Sequence, residues 1–180
     1  MSPSSDLTSL MLRVIAAQCW IDAQAYGSNI YNEKKYAYVK LNGVAVWQAS
    51  WKGEFPNRRG ANVIIVDPAS CTLQVWRNFD TFGSRRDALQ LRDFLQRLSN
   101  RTVLVIVSCD EASRYLYDVE PTLNALGADV SDVRYRGAWV FVAEKGDPAK
   151  TVLDKKLTEA AAQARQPRVN ASFEGAYYKV

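Results

Sequence analysis

Two nearly continuous apolar runs constrain the fold of this 180-residue chain more than any other feature. They are Ala61–Val66 (ANVIIV) and Thr102–Val107 (TVLVIV), and each has the length of a strand. A strand with one face in water alternates apolar and polar residues, which these runs do not do. Both are therefore predicted to be core strands, and the first is predicted to be buried on both of its faces.

A hairpin is predicted just before the first run. Asn42-Gly43 separates Tyr36–Leu41 from Val44–Trp51, and Asn-Gly is the strongest short hairpin signal because both residues tolerate a positive φ. Three more segments are predicted to form strands: Met11–Ala17, Thr72–Phe79, which follows the first apolar run across the turn Asp67–Ser70, and Tyr135–Ala143.

The best helix signal covers Ser84–Leu98. Ser84 suits the N-cap, Asp87 lies three residues further on, and apolar residues recur with helical spacing. Further helices are predicted at Val119–Leu126, which ends before Gly127, and at Asp154–Arg165. Strand hairpins mixed with a few helices define an α+β class.

Composition excludes several kinds of function. The chain has no histidine, which rules out Ser-His-Asp and Cys-His catalysis and every histidine-containing metal site. The net charge is +4, but basic residues occur at most as isolated pairs, so neither a nucleic-acid partner nor a membrane partner is predicted.

The three cysteines are Cys19, Cys71 and Cys109, which form no CxxC pair and allow at most one disulfide. No metal site and no cofactor are predicted. The start of the chain lacks a basic region, and Arg13 and Gln18 interrupt its apolar stretch, so it reads as neither signal peptide nor membrane span. The chain is expected either to be made without a leader or to be cut from something larger.

Six motifs follow one another in the order and spacing of a known family. They are Arg59–Val66 (RGANVIIV), Phe79-Asp80-Thr81, the Ser84–Leu98 helix, Asn100–Ser113 (NRTVLVIVSCDEAS), Leu126-Gly127-Ala128, and Tyr135–Val142 (YRGAWVFV) with Lys145-Gly146. Together they resemble the interleukin-like EMT inducer family, also called the PANDER-like or GG domain.

The resemblance implies an α+β fold of two antiparallel β-sheets with flanking helices. Residues 1–180 are expected to form one domain, with a family-like core at about 36–146 and extensions at 1–35 and 147–180. Members include secreted animal signalling proteins, the stem domain of protein O-mannose N-acetylglucosaminyltransferase, modules of cell-migration-inducing proteins and phage tail modules. None is known to be catalytic, so the chain is predicted not to be an enzyme.

The resemblance also implies a sugar site. In the glycosyltransferase stem domain, an Asp after the central strand and an Arg before the motif Trp hold a terminal N-acetylglucosamine. The matching residues here are Asp110 and Arg136, and Tyr115 or Tyr135 is a candidate to stack on the sugar. The chain is thus predicted to be a lectin-like module for a glycan of the N-acetylglucosamine type, while Trp139 is expected to be core.

Three alternatives stay open. Asp110 and Arg136 could form only a structural salt bridge between two strand ends. Asp80, Asp110 and Glu111 could supply a glycosidase-like carboxylate pair, although their spacing does not specify one. The chain could instead be a protein-interaction or structural module, such as a phage tail component or a signalling domain, acting through its N-terminal aromatics: Trp20, Tyr26, Tyr31, Tyr36, Tyr38, Trp47 and Trp51.

Two departures from the family pattern matter. Gly137 stands where many members have an Asp that would steady the Arg. The cysteines also do not match the two disulfides of the animal signalling members, which favours a member that folds without disulfides and makes Cys109 a small buried residue. The expected location is in an extracellular module of a larger protein or in a virion.

Overall fold

The computed structural model describes residues 19–28, 36–50 and 56–148, and the backbone of 153–157 and 170–172. These residues form ten strands, two α-helices and one 3-10 helix. The strands are β1 (Ile21–Gln24), β2 (Tyr26–Gly27), β3 (Tyr36–Leu41), β4 (Val44–Ser50), β5 (Gly60–Asp67), β6 (Thr72–Phe79), β7 (Val103–Asp110), β8 (Ala138–Glu144), β9 (Leu153–Leu157) and β10 (Asn170–Ser172). The helices are α1 (Arg85–Arg97), the 3-10 helix Leu116–Val119 and α2 (Glu120–Asn124).

The strands form two sheets. The smaller has the order β10-β1-β3-β4, and the larger has the order β6-β5-β7-β8-β9 with β2 added beside β7. Every pair is antiparallel except β2–β7. The prediction of an α+β fold with two antiparallel sheets and flanking helices is confirmed, with β2–β7 as a parallel addition.

The central strands are buried on both faces, as the apolar runs predict. Val105 and Val107 face the smaller sheet, where they pack with Val39. Leu104 and Ile106, which point to the opposite face of β7, pack against the helices. The larger sheet thus lies between two apolar cores, and this explains why β5 and β7 do not alternate in sequence.

The local signals for the first hairpin and for α1 are also confirmed. Asn42 and Gly43 have φ values of 48° and 81°, both in the left-handed region that their turn requires. The Ser84 hydroxyl accepts a hydrogen bond from the Asp87 amide at 3.1 Å and donates to the Asp87 carboxylate at 3.0 Å. Ala88, together with Leu91 and Leu95, is buried along one face of the helix.

Two predicted elements differ from the structure. The strand predicted at Tyr135–Ala143 begins at Ala138, because residues 134–137 form a turn. The predicted helix Asp154–Arg165 is wrong at its start, where Leu153–Leu157 forms a strand against β8. The edge of β8 offers backbone hydrogen bonds that outweigh the weak local preference for helix. Residues 158–165 and the strand predicted at Met11–Ala17 lie outside the described residues.

The helix predicted at Val119–Leu126 begins earlier and ends earlier than expected, at Leu116 and Asn124. It consists of the 3-10 helix and α2, with Pro121 in the first turn of α2. The chain leaves this region at Gly127, whose φ of +91° favours glycine.

A disulfide joins the two sheets, contrary to the expectation of a disulfide-free member. Cys19 precedes β1, Cys71 lies in the β5–β6 turn, and their Cα atoms are 5.0 Å apart. Sequence spacing did not reveal the pair because 52 residues separate the two cysteines. Cys109 is fully buried, as predicted, and burial raises the pKa of its thiol to about 12. Among the described residues no helix is long and apolar enough to cross a membrane.

Candidate functional site

Three loops converge at the end of the larger sheet where β7 finishes. They are the loop 80–83 before α1, the segment 111–115 after β7, and the turn 134–137 before β8. The first two are joined by reciprocal bonds: the Thr81 hydroxyl donates to the Ala112 carbonyl at 2.8 Å, and the Tyr115 amide donates to the Thr81 carbonyl at 2.9 Å.

Glu111 fixes the third loop to the second. Its side chain is 2% exposed, and one carboxylate oxygen accepts a hydrogen bond from the Ser113 amide at 2.7 Å. The other oxygen accepts a hydrogen bond from the backbone amide of Arg136. Glu111 therefore sets the backbone position of Arg136 although their side chains do not pair.

Asp110 and Arg136 both have unusual backbones. Their φ values are 64° and 55°, in the left-handed region that residues other than glycine seldom occupy. Such conformations persist only where the surroundings enforce them, and they are enriched at binding sites. Here β2 pairs with the end of β7, and the Ser28 amide donates to the Asp110 carbonyl at 2.9 Å.

The Asp110 and Arg136 side chains do not form the structural salt bridge considered above. Within the described part of the chain, neither takes part in an ion pair. Arg136 is exposed and its guanidinium lies 5.1 Å from the centre of the Tyr135 ring, which is 53% exposed. The Asp110 carboxylate, the Arg136 guanidinium and the Tyr135 ring thus lie in one region of the surface. The two charged groups do not pair with each other.

Gly137 does not leave Arg136 unsupported. A Cβ added to Gly27 would lie 2.2 Å from the Arg136 carbonyl oxygen and 2.6 Å from the Gly137 carbonyl carbon. The 134–137 turn therefore packs directly on the backbone of β2, and only glycine fits at position 27. This packing and the bond to Glu111 position Arg136, so the role expected for an Asp at 137 is taken by backbone contacts.

Tyr26 lies beneath this region with an unsatisfied hydroxyl. The residue is 1% exposed, and neither its hydroxyl nor that of Ser28 has a hydrogen-bond partner in the described structure. Burial, then the charges of Asp110 and Cys109, raise the pKa of Tyr26 to about 12, while the charge of Arg136 partly opposes the rise. The phenol is therefore a neutral, unpaired donor within the electrostatic reach of Asp110 and Arg136.

Asp80 holds the corner of the chain just before α1. Arg59 binds its carboxylate through two hydrogen bonds of 3.0 and 2.6 Å, and the Gly83 amide adds a third at 2.8 Å. Burial alone would raise the pKa of the Asp80 carboxyl, but the bonds from Arg59 and the backbone amides lower it below its usual value. Asp80 and Glu111 are thus both engaged in holding loops.

Aromatic rings and guanidinium groups alternate across the surface of these loops. The Arg114 guanidinium lies 5.0 Å from the centre of the Tyr115 ring and 6.0 Å from that of Phe82. The centre of the Phe82 ring in turn lies 6.0 Å from that of Tyr135, and the Arg136 guanidinium lies over the Tyr135 ring. We call these five residues the aromatic–arginine row.

The sequence found part of this arrangement. Asp110 is the last residue of β7 and lies beside the converging loops, and Tyr115, Tyr135 and Arg136 lie within them. The ring of Tyr115 packs partly on the helix-side core, and the Arg114 guanidinium lies over it. Sequence reasoning missed Phe82 and Arg114, because loop residues follow no periodic pattern, and it named Tyr26 only among the N-terminal aromatics. The family motif Phe79-Asp80-Thr81 ends one residue before Phe82 and was the only available signal.

The remaining aromatic residues are mostly packed. Trp139 is fully buried and stacks on Phe141, as expected of core. Of the N-terminal aromatics, Trp47 is 7% exposed and Trp20 is 40% exposed. Tyr31 and Trp51 lie outside the described residues. No three Cys, Asp or Glu side chains in the described part are grouped closely enough to hold a metal ion.

Comparison with known proteins agrees with this architecture. Residues 59–147 match the family model described as Interleukin-like EMT inducer. The match contains the three converging loops, together with β5 to β8 and the helices. Over this segment, which is just under half of the chain, the protein is similar to the interleukin-like EMT inducer family.

The chain is also similar to parts of larger proteins. It is 26% identical over 166 residues to the human "Cell migration-inducing and hyaluronan-binding protein", covering 84% of this chain and 12% of that protein. It is 29% identical over 111 residues to the zebrafish (Danio rerio) "Cell surface hyaluronidase", covering 60% of this chain and 8% of that protein. The chain thus spans only about a tenth of the length of these relatives.

Proposed function

We propose that this domain is a non-catalytic carbohydrate-binding module whose site contains Asp110, Arg136 and Tyr135. The observation that carries the proposal is that Asp110 and Arg136 lie at the converging loops with left-handed backbones and without an ion pair among the described residues. A structural salt bridge between Asp110 and Arg136 would have neutralised both groups.

The chemistry of these three groups suits a sugar. A carboxylate accepts hydrogen bonds from sugar hydroxyls, and a guanidinium donates to ring or acetamide oxygens; both kinds of bond are charge-assisted. The exposed ring of Tyr135 offers an apolar surface for the C–H face of the sugar. Because few groups converge, affinity for one sugar is expected to be weak, about millimolar to high micromolar.

The relatives suggest which glycan to test. One is named for hyaluronan binding and another as a hyaluronidase. Hyaluronan alternates N-acetylglucosamine with glucuronate, so it contains the sugar type that the family resemblance predicts. A hyaluronan fragment is therefore the first ligand to examine.

The engaged carboxylates support the absence of catalysis. A glycosidase needs two carboxyl groups directed at one glycosidic bond. Asp80 is bound by Arg59, and Glu111 is buried against two backbone amides. Neither of these two described carboxylates is therefore free to act together with Asp110.

The disulfide supports an extracellular location. Disulfides persist in oxidising environments, and one joins Cys19 to Cys71 here. One relative is named as a cell-surface protein. We place the domain in an extracellular protein; no observation favours a virion or a signalling ligand.

The test is an NMR titration with N-acetylglucosamine and with hyaluronan tetrasaccharide. Arg136→Ala is compared with Arg134→Ala, a nearby exposed arginine paired with Asp132 at 3.4 Å. Saturable shifts near Asp110 that vanish in Arg136→Ala but persist in Arg134→Ala are the expected result. Asp110→Asn, which keeps a residue that tolerates positive φ, should weaken binding without unfolding the protein. Unchanged binding by a folded Arg136→Ala variant would contradict the site.

A further inference from the structure

Arg114 is a second arginine with unused hydrogen-bond donors. Its guanidinium contacts the rings of Tyr115 and Phe82, and it takes part in no ion pair in the described structure. A guanidinium that lies against a ring uses its flat face, so the N–H groups at its edge stay free to donate. Arg114 is thus oriented by its contacts without being neutralised.

Arg59 provides an internal comparison. It also lies over Phe82, at 5.3 Å from the ring centre, but its N–H groups are bound to the Asp80 carboxylate. Two arginines thus lie over the Phe82 ring. The donors of Arg59 are bound to a carboxylate, whereas those of Arg114 have no partner in the described structure. The Arg59–Asp80 pair shows locally which partner an arginine on this ring takes.

Resting on the proposed function, we infer that Arg114 and Phe82 form a second subsite for a carboxylate-bearing sugar. This sugar would neighbour the one held at Asp110 and Arg136, because Phe82 and Tyr135 are adjacent at 6.0 Å. The planar fork of Arg114 matches a carboxylate in a two-bond arrangement, and the Phe82 ring helps to orient the guanidinium. The ligand class is then an acidic oligosaccharide rather than a single neutral sugar.

The test uses three tetrasaccharides that differ in charge: hyaluronan tetrasaccharide, its carboxyl-reduced form, and the neutral N-acetylglucosamine tetramer. Each is titrated into the wild type, Arg114→Gln and the control Arg134→Gln by calorimetry or NMR. Arg114→Gln should weaken hyaluronan binding about 10- to 100-fold, the range for a charge-assisted hydrogen bond. It should weaken binding of the two uncharged ligands much less, because a guanidinium bonds a neutral hydroxyl more weakly than a carboxylate.

The outcomes separate this inference from the proposed function. Equal binding of hyaluronan and its carboxyl-reduced form, or an unchanged affinity of Arg114→Gln, overturns the second subsite while leaving sugar binding intact. An equal loss in Arg134→Gln also overturns it, because the effect is then general surface charge. If the folded wild type binds none of the three ligands, the proposed function fails and the subsite with it.

Discussion

The two ends of β7 differ in how their charged groups are used. At the disulfide end, where β7 begins, the Lys145 ammonium donates to the carbonyls of Leu95, Gln96 and Leu98 at the C-terminus of α1. Its backbone exchanges hydrogen bonds of 2.7 and 2.8 Å with Arg101 and Thr102. The Cys19–Cys71 disulfide closes the same end, because Cys71 follows the end of β5.

At the other end, which we call the site end, three charged residues are fixed in position without being paired. Asp110, Arg114 and Arg136 have fixed backbones or stacked side chains, yet none forms an ion pair within the described residues. The Tyr26 hydroxyl is buried without a partner. The described charged groups at the disulfide end therefore stabilise the fold. At the site end Asp80 and Glu111 hold the loops, whereas Asp110, Arg114 and Arg136 remain available for a ligand.

The largest effect is expected from removing the disulfide. The Cys19→Ser/Cys71→Ser variant removes a cross-link between residues separated by 52 positions in sequence. In the chain-entropy model, this lowers the free energy of unfolding by about 4 kcal/mol. Urea unfolding of the variant beside the oxidised and reduced wild type measures this. Glycan binding by the remaining folded protein should be unchanged, and a loss of binding there would show that the two ends are coupled.

Glu111→Ala should have the next largest effect, and it acts on both stability and binding. It leaves the amides of Ser113 and Arg136 without their acceptor, at about 2–4 kcal/mol in the free energy of unfolding. It also releases the turn that holds Arg136, so glycan affinity should fall. Glu111→Gln, which keeps one acceptor oxygen, should lose less of each; equal losses in both variants would point to the charge rather than the hydrogen bonds.

Lys145→Met should affect stability alone. Removing the ammonium from the α1 carbonyls should lower the free energy of unfolding by about 1–2 kcal/mol. Glycan affinity should match that of the wild type, because Lys145 lies at the disulfide end. A change in affinity under conditions where the variant is fully folded would refute the division of roles between the ends.

Tyr26→Phe should have the smallest effect and the opposite sign. Removing an unpaired buried hydroxyl should stabilise the protein by about 1 kcal/mol at neutral pH. The pKa of Tyr26 is raised from 10.0 to about 12 on folding, so the unfolded state ionises first as the pH rises above 10. Between pH 10 and about pH 12, the free energy of unfolding of the wild type should therefore fall more steeply than that of Tyr26→Phe.

Urea midpoints at pH 7 and above pH 10 check both parts of that prediction. A variant less stable than the wild type at pH 7 would mean that the hydroxyl makes a hydrogen bond, for instance to a buried water. If Tyr26→Phe also weakens glycan binding, the hydroxyl belongs to the site rather than to the fold.

Local sequence signals predicted the elements with a strong intrinsic pattern. The Asn42-Gly43 hairpin, the Ser84 cap and the doubly buried strands β5 and β7 all appear where expected. The helix predicted at Asp154–Arg165 was wrong at its start because a strand edge, which the sequence does not display, was available for pairing. The disulfide was missed for the same kind of reason, since only the fold brings Cys19 to Cys71.

The sequence by itself determined which stretches are buried, where the hairpin turns, and that Asp110 and Arg136 follow a family motif. Those properties depend on near neighbours along the chain, through side-chain period and backbone preference. Only the tertiary structure decided that the two charges stay unpaired, that Gly27 supports the turn of Arg136, and that Phe82 and Arg114 join the same surface. These depend on three loops distant in sequence that meet at one end of a sheet, and strand order, rather than local pattern, sets that meeting.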